Sequence, residues 1–400
     1  MNREAIGHYK NDKLQFAYDN NHPAQPVPPS SRTEMESAVA ALAARKTAWL
    51  KVGPAQRIRL IDACLENMGA NLKRWVSAEL RARTIDPGSE TAGEEWGVAY
   101  AVLRVLRIIR QTLEEIDRFG RPLIPGDLRA RGEEQIAVPV CPRGVWDKVV
   151  WTGLEAEVWL QPGVTRQDLL ATQARAYRDS ERQGCTVFIL GAGNVSLLVP
   201  VDFLTKLFGE NKVVILKMNQ ANEYLGKIIE DVFAPLIEMG VLRICYGGAE
   251  QGQFLAYHPE IDELHITGSH HTYEAIVFGP GETGQSRKRN RQPLMTKPFT
   301  GELGSVSPVI IVPGKFTLAE IDFLARHVAA MLVTNAGFNC LATRVIVTSA
   351  AWPQRETFLT RLRGVLAQIP LRAAFYPGAH KRHAAFIEAH PKAERFGNPR

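Results

Sequence analysis

A cysteine among small and polar residues is the first candidate for chemistry in this sequence. Cys340 ends the segment 335–340 (NAGFNC), which stands between a predicted helix and a predicted strand. Small neighbours leave room for a substrate and expose backbone N–H groups, and a thiolate needs such a polar setting to act as a nucleophile. The alternative is a buried structural cysteine, the commoner role of a single thiol.

Glu302 is a candidate general base. It lies in the segment 301–304 (GELG), where its neighbours are apolar or small. A carboxylate in such surroundings can be tuned to take a proton from a reacting group. A surface salt bridge is the alternative use of this side chain.

The segment 191–196 (GAGNVS) follows a predicted strand and opens a predicted helix. Gly191 and Gly193 let the backbone approach a phosphate group at a helix N-terminus. The Asn194 amide could donate to a developing oxyanion or simply cap the helix. An ordinary dinucleotide fingerprint places Asp or Glu at the end of the next strand, but that strand ends in Lys217. A plain strand-to-helix turn therefore stays open as an alternative.

A second turn of this kind is the segment 266–269 (ITGS). The Ser269 hydroxyl and the free amides after Gly268 could hold a second phosphate group. Helix capping by Ser269 is the alternative.

Strands and helices alternate around these residues from Cys185 onward, which predicts an α/β fold. Short apolar strands of this kind form a parallel sheet covered by helices on both faces, and ligands bind at the carboxyl ends of such strands. The predicted strands are 186–190, 212–216, 241–245 and 263–266, followed by a second alternating unit with strands 309–312 and 345–348.

The rest of the chain divides into regions of different pattern. We predict an extended arm at 1–32, helices over 33–118 and an irregular stretch at 119–184. In that stretch, 136–140 reads as a strand continued by 144–146, and 166–182 as a surface helix. The predicted domains are the arm, a cofactor-binding region at 33–297 and a catalytic domain at 298–400.

Composition excludes several classes of protein. Of the 400 residues, 45% are hydrophobic and 22% charged, which is typical of a globular chain. No apolar run is long enough to cross a membrane, and the start of the chain does not resemble a secretory signal. The five scattered cysteines predict reduced thiols in the cytoplasm.

The net charge of +6 suits an anionic ligand such as a nucleotide. The basic run 287–291 is interpreted as a solvated loop and not as a nucleic-acid patch, because no aromatic residue interrupts it. The adjacent His270 and His271 make a poor metal pair, and no metal site is predicted.

Taken together, these motifs resemble those of the aldehyde dehydrogenase superfamily. Glu302 matches the glutamate of its ELGGxSP motif, and Cys340, 38 residues later, matches the cysteine of its GQxC motif. Asn194 matches its oxyanion asparagine, Lys217 the lysine of its KPxE motif, and 267–269 its phosphate-binding TGS turn. The resemblance covers about 186–350.

The resemblance implies an aldehyde dehydrogenase-like fold with a nucleotide-binding and a catalytic domain. It implies oxidation of a small-molecule aldehyde with NAD or NADP through a thiohemiacetal and a thioester on Cys340. Asn194 would stabilise the oxyanion, and Glu302 would activate the hydrolytic water. For an intact protein it implies a homo-oligomer, without nucleic acid or membrane as a partner.

Several departures from the family pattern qualify this reading. Gln220 replaces the glutamate of KPxE, which contacts the ribose and repels a 2′-phosphate, so acceptance of NADP beside NAD is predicted. Ser305 replaces the second glycine of ELGG, and Phe338 replaces the glutamine of GQxC. The sequence stops at Arg400, before the family's ExFGP motif, and is read as a C-terminal truncation. The alternative function is therefore an inactive truncated homologue that binds only nucleotide or a protein partner.

Overall fold

The computed structural model describes residues 27–132 and 135–397, so most of the predicted arm at 1–32 lies outside the described residues. Helices occur along the whole described chain, and the first three fill the predicted helical region 33–118. In chain order they are α1 (Arg32–Leu50), α2 (Pro54–Ala82), α3 (Gly93–Phe119), α4 (Val145–Val150), α5 (Arg166–Thr172), α6 (Arg175–Arg178), α7 (Leu198–Leu204), α8 (Gly226–Val232), α9 (Ala234–Glu238), α10 (Ala249–Tyr257), α11 (His270–Phe278), α12 (Gly281–Arg289), α13 (Leu318–Val333), α14 (Arg355–Gln368) and α15 (Ala379–Ala389).

The strands form three separate sheets in the described part of the chain. One is a small antiparallel sheet, one a parallel pair, and the largest a parallel sheet of five strands in the order β6-β5-β4-β7-β8. The strands are β1 (Arg129–Arg131), β2 (Gln135–Cys141), β3 (Ala156–Trp159), β4 (Thr186–Leu190), β5 (Val213–Lys217), β6 (Leu242–Cys245), β7 (Glu263–Gly268), β8 (Phe299–Leu303), β9 (Ser307–Ile311) and β10 (Thr343–Thr348).

The five-stranded sheet confirms the predicted α/β architecture. All residues of β4 and β5 are buried, as expected for central strands with helices on both faces. From β4 the chain moves outward through β5 to β6 and then returns to place β7 on the other side of β4. The strand order therefore reverses between β4 and β7, and ligands bind at such a switch point, beyond the carboxyl ends of the strands.

Three long N-terminal helices support this sheet. Helix α1 is capped by Ser31, whose hydroxyl accepts from the Glu34 amide, and α2 begins with Pro54 at a position where no N–H is needed. Helices α2 and α3 are amphipathic, and their apolar faces enter the core shared with the sheet. Two fully buried tryptophans, Trp49 and Trp75, are among the largest side chains of that core.

The C-terminal unit has a core of its own around the parallel pair β9–β10. Helices α13 and α14 bury their apolar side chains there, with Phe358 and Ile321 fully enclosed. Strand β8 does not belong to this unit, since it pairs with β7 in the larger sheet although it lies beyond residue 298. We propose a boundary between the cofactor-binding and catalytic parts just after Leu303.

Three local predictions were wrong. Residues 145–150 form a helix and do not continue the strand, because the Asp147 carboxylate accepts from the Arg104 guanidinium (2.7 Å) and the Arg143 amide (3.0 Å). The single helix predicted at 166–182 is split into α5 and α6. The basic run begins within helix α12 and not in a loop, with Lys288 paired to Glu274.

No helix in the described part of the chain combines the length and apolar character needed to span a membrane. Within the same residues, no group of three His, Cys, Asp or Glu side chains is arranged to hold a metal ion.

Candidate active site

A cleft of about 690 Å³ lies at the switch point of the large sheet. The turns after β4, β5, β6 and β7 form its floor, and helices α10 and α11 form its walls. Its lining includes five of the residues selected from the sequence, namely Gly191, Lys217, Gln220, Gly268 and Ser269.

The glycine turn after β4 is held tightly against the turn after β5. The Gly191 amide donates to the Lys217 carbonyl (3.0 Å), and a Cβ on Gly191 would lie only 3.2 Å from that oxygen. A Cβ on Gly193 would lie 2.6 Å from Asn219 Oδ1. Gly191 thus allows the turn after β4 to pack against the end of β5 at the cleft floor, whereas Gly193 packs against Asn219 and is not one of the residues that line the cleft.

Lys217 presents a mostly buried ammonium group at the end of β5. Its Nζ donates to the carbonyls of Gly247 (2.7 Å) and Met218 (3.3 Å), and its stem packs against Gly252 on α10. Burial lowers the Lys217 pKa, and the nearby Glu223 carboxylate opposes this effect. A cation is therefore fixed at the rim, where it can meet hydroxyl or phosphate oxygens.

The other cleft residues differ in exposure and in their bonds. Gln220 is exposed, and its Nε2 lies near Gly248: a Cβ added to Gly248 would be 3.7 Å from this nitrogen. Ser269 caps α11, since its Oγ accepts from the His271 amide (3.1 Å). The capping alternative is thus realised for Ser269, whose side chain remains exposed on the cleft.

Asn194 and the Cys340 segment meet beside this cleft. Asn194 Nδ2 donates to the Phe338 carbonyl (3.0 Å). In return, Asn335 Nδ2 donates to the carbonyls of both Asn194 and Phe338, each at 2.9 Å. A carboxamide carries two N–H donors. One N–H of Asn194 binds the Phe338 carbonyl in the Cys340 segment, and the other can donate to a substrate oxygen.

The Cys340 thiol is half-buried and lies 3.7 Å from Asn339 Oδ1. Its backbone carbonyl accepts from the Ser305 hydroxyl (2.9 Å), three residues after Glu302. The β8 end that carries Glu302 and the Cys340 segment are thereby neighbours. The structure thus joins Asn194 to the Cys340 segment by hydrogen bonds, whereas Glu302 is linked to that segment only through Ser305, and none of the three residues lines the cleft.

Glu302 is more open than its sequence neighbours indicate. Its side chain is exposed at the end of β8, where it stands opposite Thr267 of β7. Among the described residues, no basic group lies within ion-pair distance of its carboxylate, so the salt-bridge alternative is not realised there.

Two functional features escaped the sequence analysis. Tyr376 lines the cleft and lies beside Phe338, with 5.7 Å between the ring centroids, which links the cleft to the Cys340 segment. Arg83, at the end of α2, donates to Asn335 Oδ1 (3.0 Å). Neither residue stands in a motif, and only the Asn-Ala-Gly sequence of the turn hints at the special backbone that Arg83 supports.

Arg83 belongs to a buried ionic group that we call the Arg83 cluster, formed by Glu79, Arg83, Glu94, Glu95 and Arg372. Glu79 accepts from Ser196 Oγ (2.6 Å) and from Arg83 (3.3 Å). Burial raises the Glu79 pKa to about 7, against the opposing effects of Arg83 and Ser196. The cluster therefore holds a carboxyl group that binds its proton more tightly in the folded chain than in the unfolded chain.

Replacing Glu79 by glutamine should remove a pH dependence of stability. The pKa of Glu79 is higher in the folded chain than in the unfolded chain. Its protonation therefore contributes fully to the free energy of unfolding below about pH 4.3, and this contribution is lost as the pH rises through about 7. The loss is at most about 1.4 kcal/mol per pH unit. Chemical unfolding of both chains from pH 5 to 8 measures this: the Glu79→Gln chain should gain relative stability with rising pH. Glu34→Gln is the control and should show no such trend, because Ser31 lowers the Glu34 pKa. A constant difference between the Glu79→Gln and unaltered chains would contradict the assignment.

Comparison with known proteins identifies the family. The model of the aldehyde dehydrogenase family matches residues 186–389, half of the chain. The chain belongs to the aldehyde dehydrogenase family. The predicted family membership is thereby confirmed, and the match covers the large sheet, the cleft and the Cys340 segment.

Relatives within the aldehyde dehydrogenase family are distant. Aldehyde dehydrogenase tropH of Talaromyces stipitatus is 32% identical over 171 residues, which are 42% of this chain and 29% of the relative. N-succinylglutamate 5-semialdehyde dehydrogenase of Novosphingobium aromaticivorans is 25% identical over 164 residues, 41% of this chain and 32% of the relative. The matches therefore span about a third or less of these curated proteins.

Solved aldehyde dehydrogenases share the fold. An NAD-dependent aldehyde dehydrogenase from Sinorhizobium meliloti superimposes with a TM-score of 0.60 at 16% identity, over 93% of this chain and 64% of that one. An aldehyde dehydrogenase from Mycobacterium tuberculosis, solved in complex with NAD+, gives 0.56 at 18% identity, over 86% of this chain and 57% of that one. The predicted aldehyde dehydrogenase-like fold class is thus confirmed.

Proposed function

We propose that the chain oxidises an aldehyde to a carboxylic acid with NAD or NADP as the hydride acceptor. The observation that carries this proposal is the bond between the Asn194 amide and the Phe338 carbonyl, two residues before Cys340. It holds an oxyanion donor beside a thiol at the end of a nucleotide-sized cleft. Membership of the aldehyde dehydrogenase family supports the same reaction.

The cleft fits a dinucleotide. Gly191 lets the turn after β4 pack closely against the end of β5, and the exposed Ser269 hydroxyl can donate to a phosphate group. Lys217 offers an ammonium donor for ribose hydroxyls. Ile276 and Leu294 give the walls apolar surface against which a base can lie. When bound, the nicotinamide supplies a hydride acceptor.

The residues of the chain itself supply the remaining steps. The Cys340 thiolate attacks the aldehyde carbonyl, and the second N–H of the Asn194 amide donates to the oxyanion with the Cys340 backbone N–H. Loss of hydride from the thiohemiacetal leaves a thioester on Cys340. Glu302, which is exposed and has no ion-pair partner among the described residues, takes a proton from water, which hydrolyses the thioester and releases the acid.

Turnover of the purified chain tests the proposal. Reduction of NAD and of NADP is followed at 340 nm with a panel of aliphatic and aromatic aldehydes, and we expect carboxylic acid to form in equal amount. A chain shown to be folded that binds NAD but oxidises none of the aldehydes would contradict the proposal. That result would instead favour an inactive homologue that binds only nucleotide or a protein partner.

Cofactor choice should depend on Gln220. This exposed amide at the cleft rim carries no charge to repel a 2′-phosphate, so the unaltered chain should use both cofactors. Gln220→Glu should raise KM for NADP about tenfold, equivalent to about 1.4 kcal/mol, with little change in KM for NAD. Gln253→Glu at another part of the cleft lining is the matched control. An equal rise in both KM values for Gln220→Glu would contradict the role of Gln220 in cofactor choice.

A further inference from the structure

We propose that Asn335 is a positioning residue that sets Cys340 against Asn194, and that Arg83 holds Asn335 in place. This inference rests on the proposed function, because it takes Cys340 as the nucleophile and Asn194 as the oxyanion donor. It concerns how the two groups are kept together.

The carboxamide of Asn335 joins three separate parts of the chain. Its Oδ1 accepts from Arg83 at the end of α2 (3.0 Å), and its Nδ2 donates to the carbonyls of Asn194 and Phe338 (2.9 Å each). The backbone amide of Asn335 donates to Glu94 on α3 (2.9 Å). Asn335 is 5% exposed, so water does not replace these bonds at low cost if they are lost.

The backbone at this turn needs such support. Asn335, Ala336 and Gly337 all have positive φ, at 56°, 53° and 75°. The left-handed region is unfavourable for residues with a Cβ, alanine above all, and persists only where surrounding contacts hold it. In this turn those contacts include the three bonds of the Asn335 side chain, the bond from the Asn335 amide to Glu94 and a bond from the Arg344 guanidinium to the Gly337 carbonyl. Cys340 follows within three residues of the strained stretch.

Arg83 is a rigid anchor for Asn335. It is 3% exposed and bonded to Glu95 (2.9 Å) and Glu79 (3.3 Å), which are both fully buried. Arg372 from the C-terminal unit binds the same Glu95 (2.5 Å). The Arg83 cluster thus fixes the Arg83 guanidinium beside the turn. This planar group donates at once to Glu79, Glu95 and Asn335.

The consequence is geometric. A single carboxamide contacts both the Asn194 backbone and the segment that carries Cys340, so it sets the separation of thiol and oxyanion donor. A displacement of about 1 Å at a reacting centre can lower the rate about a hundredfold. Loss of the Asn335 side chain should therefore make the Cys340 thiol more accessible to reagents and at the same time lower kcat.

Asn335→Gly tests this inference, because glycine accepts positive φ and the change removes only the side-chain bonds. Asn211→Gly is a matched control. Asn211 is also buried, also has positive φ (57°), accepts from a buried arginine, Arg57, and donates to the Ala176 carbonyl (3.0 Å). Asn335→Gly loses three side-chain bonds and Asn211→Gly loses two, in each case one from a buried arginine, but only Asn335 contacts the Cys340 segment.

Two readouts are measured on each folded chain. The first is aldehyde turnover, and the second is the rate at which iodoacetamide alkylates Cys340, followed by peptide mass spectrometry with Cys141 as an internal reference. For Asn335→Gly we expect kcat to fall about a hundredfold with KM for the cofactor nearly unchanged, and Cys340 alkylation to rise about threefold or more with Cys141 unaltered. Asn211→Gly should leave both quantities near those of the unaltered chain.

An unchanged alkylation rate or an unchanged kcat in Asn335→Gly would overturn the positioning role, and so would equal effects in Asn211→Gly. If the unaltered chain oxidises no aldehyde, the proposed function fails, and the alkylation rates alone decide whether Asn335 positions Cys340.

Discussion

Cys340→Ser is expected to lower kcat for aldehyde oxidation at least about a thousandfold. The hydroxyl fits the same space but is a far weaker nucleophile than a thiolate. Because Cys340 is half-buried and makes one weak contact, the free energy of unfolding should change by less than about 1 kcal/mol. Steady-state kinetics and chemical unfolding of the same preparation measure both effects.

Cys141→Ser is the control for this variant. Cys141 is also half-buried, but it lies at the end of β2 in the small antiparallel sheet. It should keep the turnover of the unaltered chain. A Cys340→Ser chain with more than about a tenth of the original activity would remove Cys340 from the mechanism.

Asn194→Ala is expected to lower kcat about 10²–10³-fold, the loss found when an oxyanion donor is removed from other enzymes. Two effects contribute, because the amide both serves the oxyanion and donates to the Phe338 carbonyl at 3.0 Å. KM for the cofactor should change little, since Asn194 is not part of the cleft lining. Steady-state kinetics with the aldehyde and the cofactor varied in turn give both constants.

Asn222→Ala separates a catalytic effect from a local packing effect. Asn222 is buried, and its amide donates to the Ala192 carbonyl (3.0 Å), so it supports the same turn as Asn194 without reaching the Cys340 segment. Its loss should lower stability more than kcat. If Asn222→Ala and Asn194→Ala reduced kcat equally, the oxyanion role of Asn194 would be untenable.

Sequence patterns predicted the elements of the large sheet well. Strand β4 begins and ends at the predicted residues, and β5, β6 and β7 are displaced by no more than two residues at either end. Buried parallel strands are short apolar runs separated by helices, so their positions can be predicted from neighbouring residues in the sequence alone. The same motifs led to the cleft residues, because motif residues directly follow strands that end at one edge of the sheet.

Features that depend on contacts between residues distant in sequence could not be predicted from local patterns. Val145 and Trp146 favour a strand, yet they begin helix α4 because Arg104, distant in sequence, binds Asp147. Strand β8 was not predicted from the sequence, and nothing local shows that residues 299–303 join the large sheet. The bond between Arg83 and Asn335 spans 252 residues, and no spacing rule predicts a contact of that kind.

The position of β8 places two of the three candidate catalytic groups in the unit that contains the large sheet. Glu302 at its end and Asn194 after β4 are carried by one hydrogen-bonded framework, whereas Cys340 is carried by the C-terminal unit. A hinge rotation between the two would change the distance from base to nucleophile while base and oxyanion donor kept their separation. Under the proposed function, hydrolysis of the thioester would therefore depend on the contacts that join the two units, among them the hydrogen bond from the Ser305 hydroxyl to the Cys340 carbonyl (2.9 Å).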